Sequence, residues 1–387
     1  MEQAFRALRA LTILAASLPS AGCLFFGDEV KEERNPRAGT PYLAESGLKE
    51  YRVALHVHCY LSHDSDGRIE DISLAARQHG FDTVILSDHY EEGNIAKAPR
   101  GVMDGVLFIP GVEERIAGGS ILSFPLRRDY DPKLRGADLL AELTRQDPIN
   151  VLAHIEEIDD WDMEPFQAIE IFNIHAAFTE VSFLRVFGSL MTSPPTEFFE
   201  EFMEPLEGNF RIWDRELARG RKLTPMAGHD AHDNVNILGT IVGTYSQLLR
   251  LVSTRVLAEE WTPAAITDAI RKGRTFVVFD YLGGGPGFSM TYGNEDEAPG
   301  KRATFGDEPV FGPDKVLELR VPDSASPFEV SILRNGVRIL RTDGGSFTMT
   351  LPGEGVYRAE VRKGRKTWII SGVIYVKPRT GNEERQP

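Results

Sequence analysis

Two periods of apolar and polar positions alternate along the first two thirds of the chain. The runs "YRVALHVH" (51–58), "FDTVILS" (81–87), "GVLFIPGVE" (105–113), "INVLAHI" (149–155), "AIEIFN" (168–173), "KLTPMAGHD" (222–230) and "RTFVVFD" (274–280) are short and nearly continuous in apolar character. Such runs predict strands covered on both faces. Between them lie "IEDISLAARQHG" (69–80), "GADLLAELTRQ" (136–146), "FRIWDRELARG" (210–220) and "PAAITDAIRKG" (263–273), with apolar residues three or four apart. Three of these stretches close on glycine, a helix stop signal. The alternation predicts parallel strands joined by helices, and a barrel fits it best.

After Tyr281 the pattern changes to "GGGPG" (283–287) and then to "VLELRV" (316–321), "FEVSILRNG" (328–336), "SFTMTL" (346–351), "VYRAEVR" (356–362) and "TWIISGVIYV" (367–376). Short alternating runs separated by turn residues predict a small all-β module over 284–379, after an α/β domain over 49–283, with a disordered tail at 380–387. The boundary falls between Leu282 and Gly287.

The N-terminus places Arg6 and Arg9 before an uncharged stretch from Ala10 to Gly27, followed by Asp28 and Glu29, the polarity of an export signal. Pro19, Ser20 and Gly22 interrupt it, leaving an apolar core from Leu11 to Leu18 that is too short for a bilayer span of about 20 residues. "SAGC" ending at Cys23 resembles a bacterial lipoprotein signal, although Ser20 stands where leucine is usual. The expectation is a signal peptide over 1–22, a lipid on Cys23, a tether over 23–48 and a place in the periplasm or cell envelope.

Of the 387 residues, 58 are acidic and 43 basic, for a net charge of −15. No basic footprint for a nucleic acid exists at the level of the whole chain, so a small molecule is the expected partner. With Cys23 assigned to lipid, Cys59 is the other cysteine, and no intramolecular disulfide is expected.

The candidate chemistry gathers at strand ends. His56 and His58 are two apart on one strand, so both imidazoles face one side. His63, Asp64 and Asp66 follow in "SHDSDG"; His89 ends the next strand, and Glu113, His154, Asp230 and His232 lie at the ends of others. In parallel α/β folds that edge is where sites are built. Asn173 and His175 lie at a further strand end and are candidates for substrate binding. No GxSxG elbow and no P-loop is present, so a protein nucleophile and a phosphate-cradling loop are not expected.

These motifs resemble those of the PHP (polymerase and histidinol phosphatase) superfamily over roughly residues 50 to 280. "ALHVHCYLSHDSDG" matches its DLHxHT and SDG elements, "LSDH" its TDH, "PGVE" its PGxE, "AHI" its AHP, and "GHDAH" its GSDAH. The leader and the β-module look most like the secreted carbaryl-hydrolase-like branch. The resemblance implies a distorted (β/α)7-type barrel followed by a small Ig-like sandwich. It also implies two or three divalent ions (zinc, manganese or iron) held by His56, His58, Asp64, His89, Glu113, His154, Asp230 and His232. In the first loop Asp64 fits the SHDG spacing, His63 a gapless alignment, and Asp66 the literal SDG. Metal-bound hydroxide would then hydrolyse a small phosphoester; the alternatives are a carbamate, ester or amide substrate, or a non-catalytic envelope binding protein. The sequence departs from the family in offering Ser120 where a histidine is usual after PGxE, Cys59 for threonine, and His229 for serine. Cys59 reads as a buried thiol and His229 as facing away from the ligands. All the implied ligands precede Tyr281, which makes the β-module dispensable for the chemistry.

Overall fold

A computed structural model of the chain describes residues 42–44, 46–179, 198–205, 207–237, 240–298, 300–322, 324 and 326–379. The expected signal peptide (1–22), Cys23, most of the tether and the C-terminal tail lie outside the described residues.

The first part contains β1 (Lys49–Val57), α1 (Ile69–Gln78), β2 (Thr83–Leu86), β3 (Val106–Ile109), β4 (Val112–Ile116) and β5 (Gly119–Phe124). It continues with α2 (Gly136–Thr144), β6 (Ile149–Ala153), β7 (Ala168–Asn173), α3 (Glu207–Ala218) and β8 (Thr224–Ala231). Then come β9 (Ser253–Ala258), α4 (Pro263–Arg271) and β10 (Thr275–Val278). Strand β1 pairs in parallel with β2 on one side and with β8 on the other, and β8, β7 and β6 are also parallel neighbours. A parallel bridge between His89 and Glu113 carries β2 over to β4. From β4 the pairing runs through β5 to β6, so the circuit of neighbours returns to β1.

Several antiparallel pairings depart from an all-parallel reading. Strands β4 and β5 form a hairpin and β5 is antiparallel to β6 as well. The turn at Ala117 and Gly118 has φ of 47° and 88°, the backbone of a two-residue hairpin turn, and such a turn can join only antiparallel strands. Strand β9, not foreseen in "STRVLA", lies antiparallel to β1 and to β10.

The alternation in β1 sorts its side chains into two cores. Tyr51, Val53 and Leu55 join Ile85, Ile109, Leu122, Val151 and Met226, whereas Ala54 and Val57 pack with Ile69, Ile72 and Ala76 of α1. Burying both faces explains why these strands read as continuous apolar runs.

The second part holds β11 (Ser289–Gly293), β12 (Val316–Arg320), β13 (Glu329–Arg334), β14 (Val337–Asp343), β15 (Phe347–Thr350), β16 (Gly355–Lys363), β17 (Lys366–Ile370) and β18 (Ile374–Val376). Strands β11, β12 and β15 make one sheet. The other consists of β14, β13, β16, β17 and β18. Met290, Leu317 and Leu319 meet Val330, Ile332, Ala359 and Trp368 between them.

The two parts share structure. Strand β10 pairs with β17, Val277 opposite Ile370, so the second sheet continues the first. Around the junction Arg255 binds Glu50 (3.1 Å), Asp280 (2.6 Å) and the carbonyl of Gly284 (2.7 Å), while Glu50 accepts from the Gly287 amide at 3.1 Å. No described helix is long and apolar enough to cross a membrane.

Candidate metal centre

The strand ends converge as their sequence suggests, with one addition: three of the side chains are aimed by backbone that strands do not normally adopt. His56, His154 and Asp230 have φ of 62°, 48° and 51°. Non-glycine residues in the left-handed region cost about 1–2 kcal/mol each. The register of β1 slips between Ala54 and Val57, and that of β8 between Gly228 and Ala231. Such bulges turn a side chain away from strict alternation toward a site.

Two sets of donors lie with all their ligand atoms within 4.8 Å of one another: His56, His58, Glu113 and Asp230, and His58, Asp64, His89 and His232. The Oε2 atom of Glu113 is 3.2 Å from His56 Nε2, 3.4 Å from His58 Nε2 and 3.5 Å from His89 Nε2. Asp230 Oδ1 is 3.4 Å from His56 Nε2 and 3.6 Å from His58 Nε2. His154 Nε2 is 3.5 Å from both Glu113 Oε1 and Asp230 Oδ2. Asp64 Oδ2 is 3.2 Å from both His89 Nε2 and His232 Nε2. The Nε2 atoms of His56 and His58 are buried and make no hydrogen bond. A buried imidazole nitrogen sealed from water without a hydrogen-bond partner is costly, and a cation at the point where these atoms converge removes that cost. Carboxylate and imidazole donors together suit zinc, manganese or iron.

Electrostatics favours positive charge here. Burial alone would raise the Glu113 carboxyl, but His56, His154 and His58 around it hold it well below the ordinary carboxylate range. Asp230 and Asp64 are likewise held low against burial, Asp230 by His56 and Asp64 by His232 and His89. Burial works against protonation of the imidazoles, yet Asp64 and Glu113 raise His89 to about 8, and Glu113 and Glu156 raise His154 to about 11. His58 moves the other way, well below its usual value, through burial and the neighbouring His232, on which it stacks with ring centroids 4.1 Å apart.

A second layer of residues holds the donors. His56 Nδ1 is 2.9 Å from Glu170 Oε1, and Asn173 Nδ2 donates to Glu170 Oε2 at 3.0 Å. A Cβ on Gly228 would lie 1.6 Å from Glu170 Oε1, so the glycine of "GHDAH" is the space through which Glu170 reaches His56. Gly67, the glycine of "SDG", leaves room in the same way for Tyr245, whose hydroxyl donates to the carbonyl of His58 at 2.6 Å. His232 Nδ1 faces the Asp230 carbonyl at 2.9 Å, which leaves Nε2 for Asp64 and a cation. Asp88 receives the Cys59 amide at 2.6 Å and the thiol at 3.2 Å, tying the end of β1 to the end of β2.

Of the residues singled out in the sequence, His56, His58, Asp64, His89, Glu113, His154, Asp230 and His232 come together. In the first loop Asp64 joins the donors; His63 is exposed with its ring 5.0 Å from that of His89, and Asp66 is exposed. Asn173 does not line the opening: it is buried behind His56 as the partner of Glu170. His175 belongs to neither donor set and lies in the first turn of the helix Ile174–Thr179 that follows β7. His229 is buried between the carbonyls of Leu55 (3.1 Å) and Val252 (2.9 Å), and Cys59 is a buried thiol whose pKa burial pushes up. Ser120 is buried with its hydroxyl unpartnered and offers no imidazole. Glu170 and Tyr245 were not foreseen. A lone carboxylate between Ile169 and Ile171 in "AIEIFN" was the available signal for the first.

No family model and no curated protein matches the sequence. Among solved structures the chain is similar to a two-domain protein from Bacteroides vulgatus containing a predicted PHP-like metal-dependent phosphoesterase. The two are 13% identical, the match covers 89% of this chain and 100% of that chain, and the TM-score is 0.41.

Proposed function

We propose that this protein is a metal-dependent hydrolase of the PHP kind, with small phosphoesters as its favoured substrates. The observation that carries the reading is the pair of donor sets sharing His58, with the unpartnered Nε2 atoms of His56 and His58 aimed between Glu113 and Asp230. The circuit of strands that returns to β1, with the donors at one edge of it, is how a distorted (β/α)7-type barrel would present them.

His56, His58, Glu113 and Asp230 would hold one divalent ion and Asp64, His89 and His232, with His58 nearby, a second; His154 faces Glu113 and Asp230 from the other side. When bound, such ions acidify water and neutralise the negative charge that hydrolysis develops on the substrate. The chain's own part is positional. Glu170 and Asn173 fix the tautomer and plane of His56, the Asp230 carbonyl does so for His232, and Tyr245 anchors the backbone at His58. The leader-like N-terminus supports delivery to the cell envelope with a lipid on Cys23.

The test is elemental analysis of protein purified without a metal-binding tag, followed by turnover of phosphate esters and of carboxylic and carbamate esters. Bound divalent metal with phosphatase activity is expected. Esterase or carbamate hydrolysis without phosphatase activity would move the protein to the second substrate class, and metal-free, inactive protein that takes up no metal would end the reading.

A further inference from the structure

We infer that His229 is a positioning residue for the metal centre: its ring holds β8 in a fork between β1 and β9 and so sets where Asp230 and His56 point. This rests on the metal-dependent reading above. Strand β1 has two edges, and β2 lies along one of them from Val53 to Val57. The other edge changes neighbour part-way. Strand β9 pairs with it up to Val53, opposite Thr254, and β8 pairs with it from Leu55, opposite Gly228. A fork opens where these two neighbours part, and Thr254 ties its arms together by accepting the Ala227 amide on Oγ1 at 2.9 Å.

Beyond the fork β8 carries a bulge. Leu55 pairs with Gly228 and Val57 with Ala231, so His229 and Asp230 together stand opposite the single residue His56. The extra residue of a bulge interrupts the ladder and re-aims side chains. Here the two side chains have separate destinations. Asp230, at φ 51°, brings Oδ1 to 3.4 Å from His56 Nε2. His229 is buried, with Nδ1 3.1 Å from the Leu55 carbonyl and Nε2 2.9 Å from the Val252 carbonyl, and the Phe81 ring stands edge-on to it at 5.7 Å. Both partners are acceptors, so either neutral tautomer of the ring donates its N–H to one arm of the fork.

Both arms bear on the centre. The Leu55 carbonyl belongs to the same rigid peptide unit as the His56 amide, and the orientation of that unit helps to set the φ of 62° at His56. Val252 directly precedes β9. Left-handed backbone at a non-glycine residue persists only where the surroundings over-determine it. The anchored ring supplies that constraint through Leu55 to His56 and through its own backbone to Asp230. Asp64 and His89, which belong only to the other donor set, lie in the first loop and beyond the end of β2, outside the fork.

The experiment compares three variants in the full chain. His229→Phe keeps a ring and removes both nitrogens, whereas His229→Asn and His229→Gln place an amide N–H near the positions of Nδ1 and Nε2 respectively. Metal is withdrawn with a graded chelator and counted by mass spectrometry, the visible spectrum of cobalt-loaded protein reads the geometry at the ions, and circular dichroism reports folding. The phenylalanine variant should bind one ion about 10- to 100-fold more weakly, with an altered cobalt spectrum, while the second ion leaves as in wild type. At least one amide variant should recover most of that affinity. If the phenylalanine variant alone does not fold, the amide variants decide: different affinities for that one ion support the inference, and equal ones overturn it. Wild-type protein that takes up no metal ends the metal-dependent reading and this inference with it. Should wild type bind metal while the folded phenylalanine variant matches it, the function stands and the role of His229 is wrong. Equal weakening of both ions, equal weakening in all three variants, or failure of all three to fold would make the residue structural only and also overturns it.

Discussion

The Nδ1 atom of His56 sits 2.9 Å from Oε1 of Glu170, 114 residues further along the chain, and both side chains are sealed from solvent. A carboxylate behind an imidazole fixes which nitrogen carries the proton and turns the other toward a cation. Replacing Glu170 with Gln should lower divalent-metal affinity and activity by about 10- to 100-fold while the far-ultraviolet circular dichroism is unchanged. Gly228→Ala should act in the same direction, because its methyl would occupy the position of the Glu170 carboxylate. Competition against a graded chelator measures both, and wild-type affinity in Glu170→Gln would show that the pair is structural only.

The two donor sets predict different losses of metal. His58 belongs to both, Asp64 to one and Asp230 to the other. His58→Ala should therefore empty the centre, whereas Asp64→Ala should remove one ion and leave the site around His56 and Glu113 filled. His56→Ala and Asp230→Ala should abolish turnover in folded protein. Metal-to-protein ratios by mass spectrometry decide the matter; the same ratio in all four variants and wild type would contradict the assignment.

The protons held by the imidazoles give metal binding a pH dependence of definite sign. His89 is raised to about 8 and His154 to about 11, so at pH 7 both carry protons in the protein alone. A cation bound by His89 must displace its proton, and one facing His154 lowers that group's hold on its own. Apparent affinity should rise with pH between 6 and 8, by about tenfold per unit for each proton released. Calorimetry in buffers of different ionisation enthalpy reads that release directly. Affinity independent of pH would mean that the imidazoles are neutral before the metal arrives.

What the sequence revealed and what it hid divide along physical lines. Buried strands such as "FDTVILS" and helices such as "PAAITDAIRKG" were legible because both periods are local, and the helix ends at Arg271 just before Lys272 and Gly273. The donors were legible because strand ends concentrate them. The hairpin of β4 and β5 was not, since its turn pair Ala117 and Gly118 is neither Asn-Gly nor Asp-Gly, the strongest local hairpin signals. The pattern at Asn173 suggests a lining residue because sequence gives the strand end but not the direction of the side chain, which here turns to Glu170. Glu170 was missed because its partner is remote, and no local pattern records a space left by Gly228.

The β-module was expected to be dispensable, and all the donors do precede Tyr281; its packing changes what a deletion would report. Ile370, Val373 and Tyr375 share an apolar cluster with Phe172, Trp213 and Val277, and β17 covers the edge of β10. Ending the chain at Tyr281 would expose that surface and an unpaired strand edge, so loss of metal from such a fragment could reflect unfolding alone. A point change separates the two effects. Arg358 on β16 is buried, grips Asp214 of α3 through two bonds of 2.8 and 2.7 Å, and also binds Glu360 at 2.6 Å. Its guanidinium lies over the rings of Trp213 (5.1 Å) and Phe210 (5.4 Å). Arg358→Ala leaves buried carboxylate without a partner, which costs about 3–5 kcal/mol. The expected outcome is a clear fall in melting temperature with metal content, KM and kcat at wild-type values below the transition. A change in metal content or kcat at temperatures where the variant is fully folded would show that the β-module shapes the centre through α3 and does more than hold the first part together.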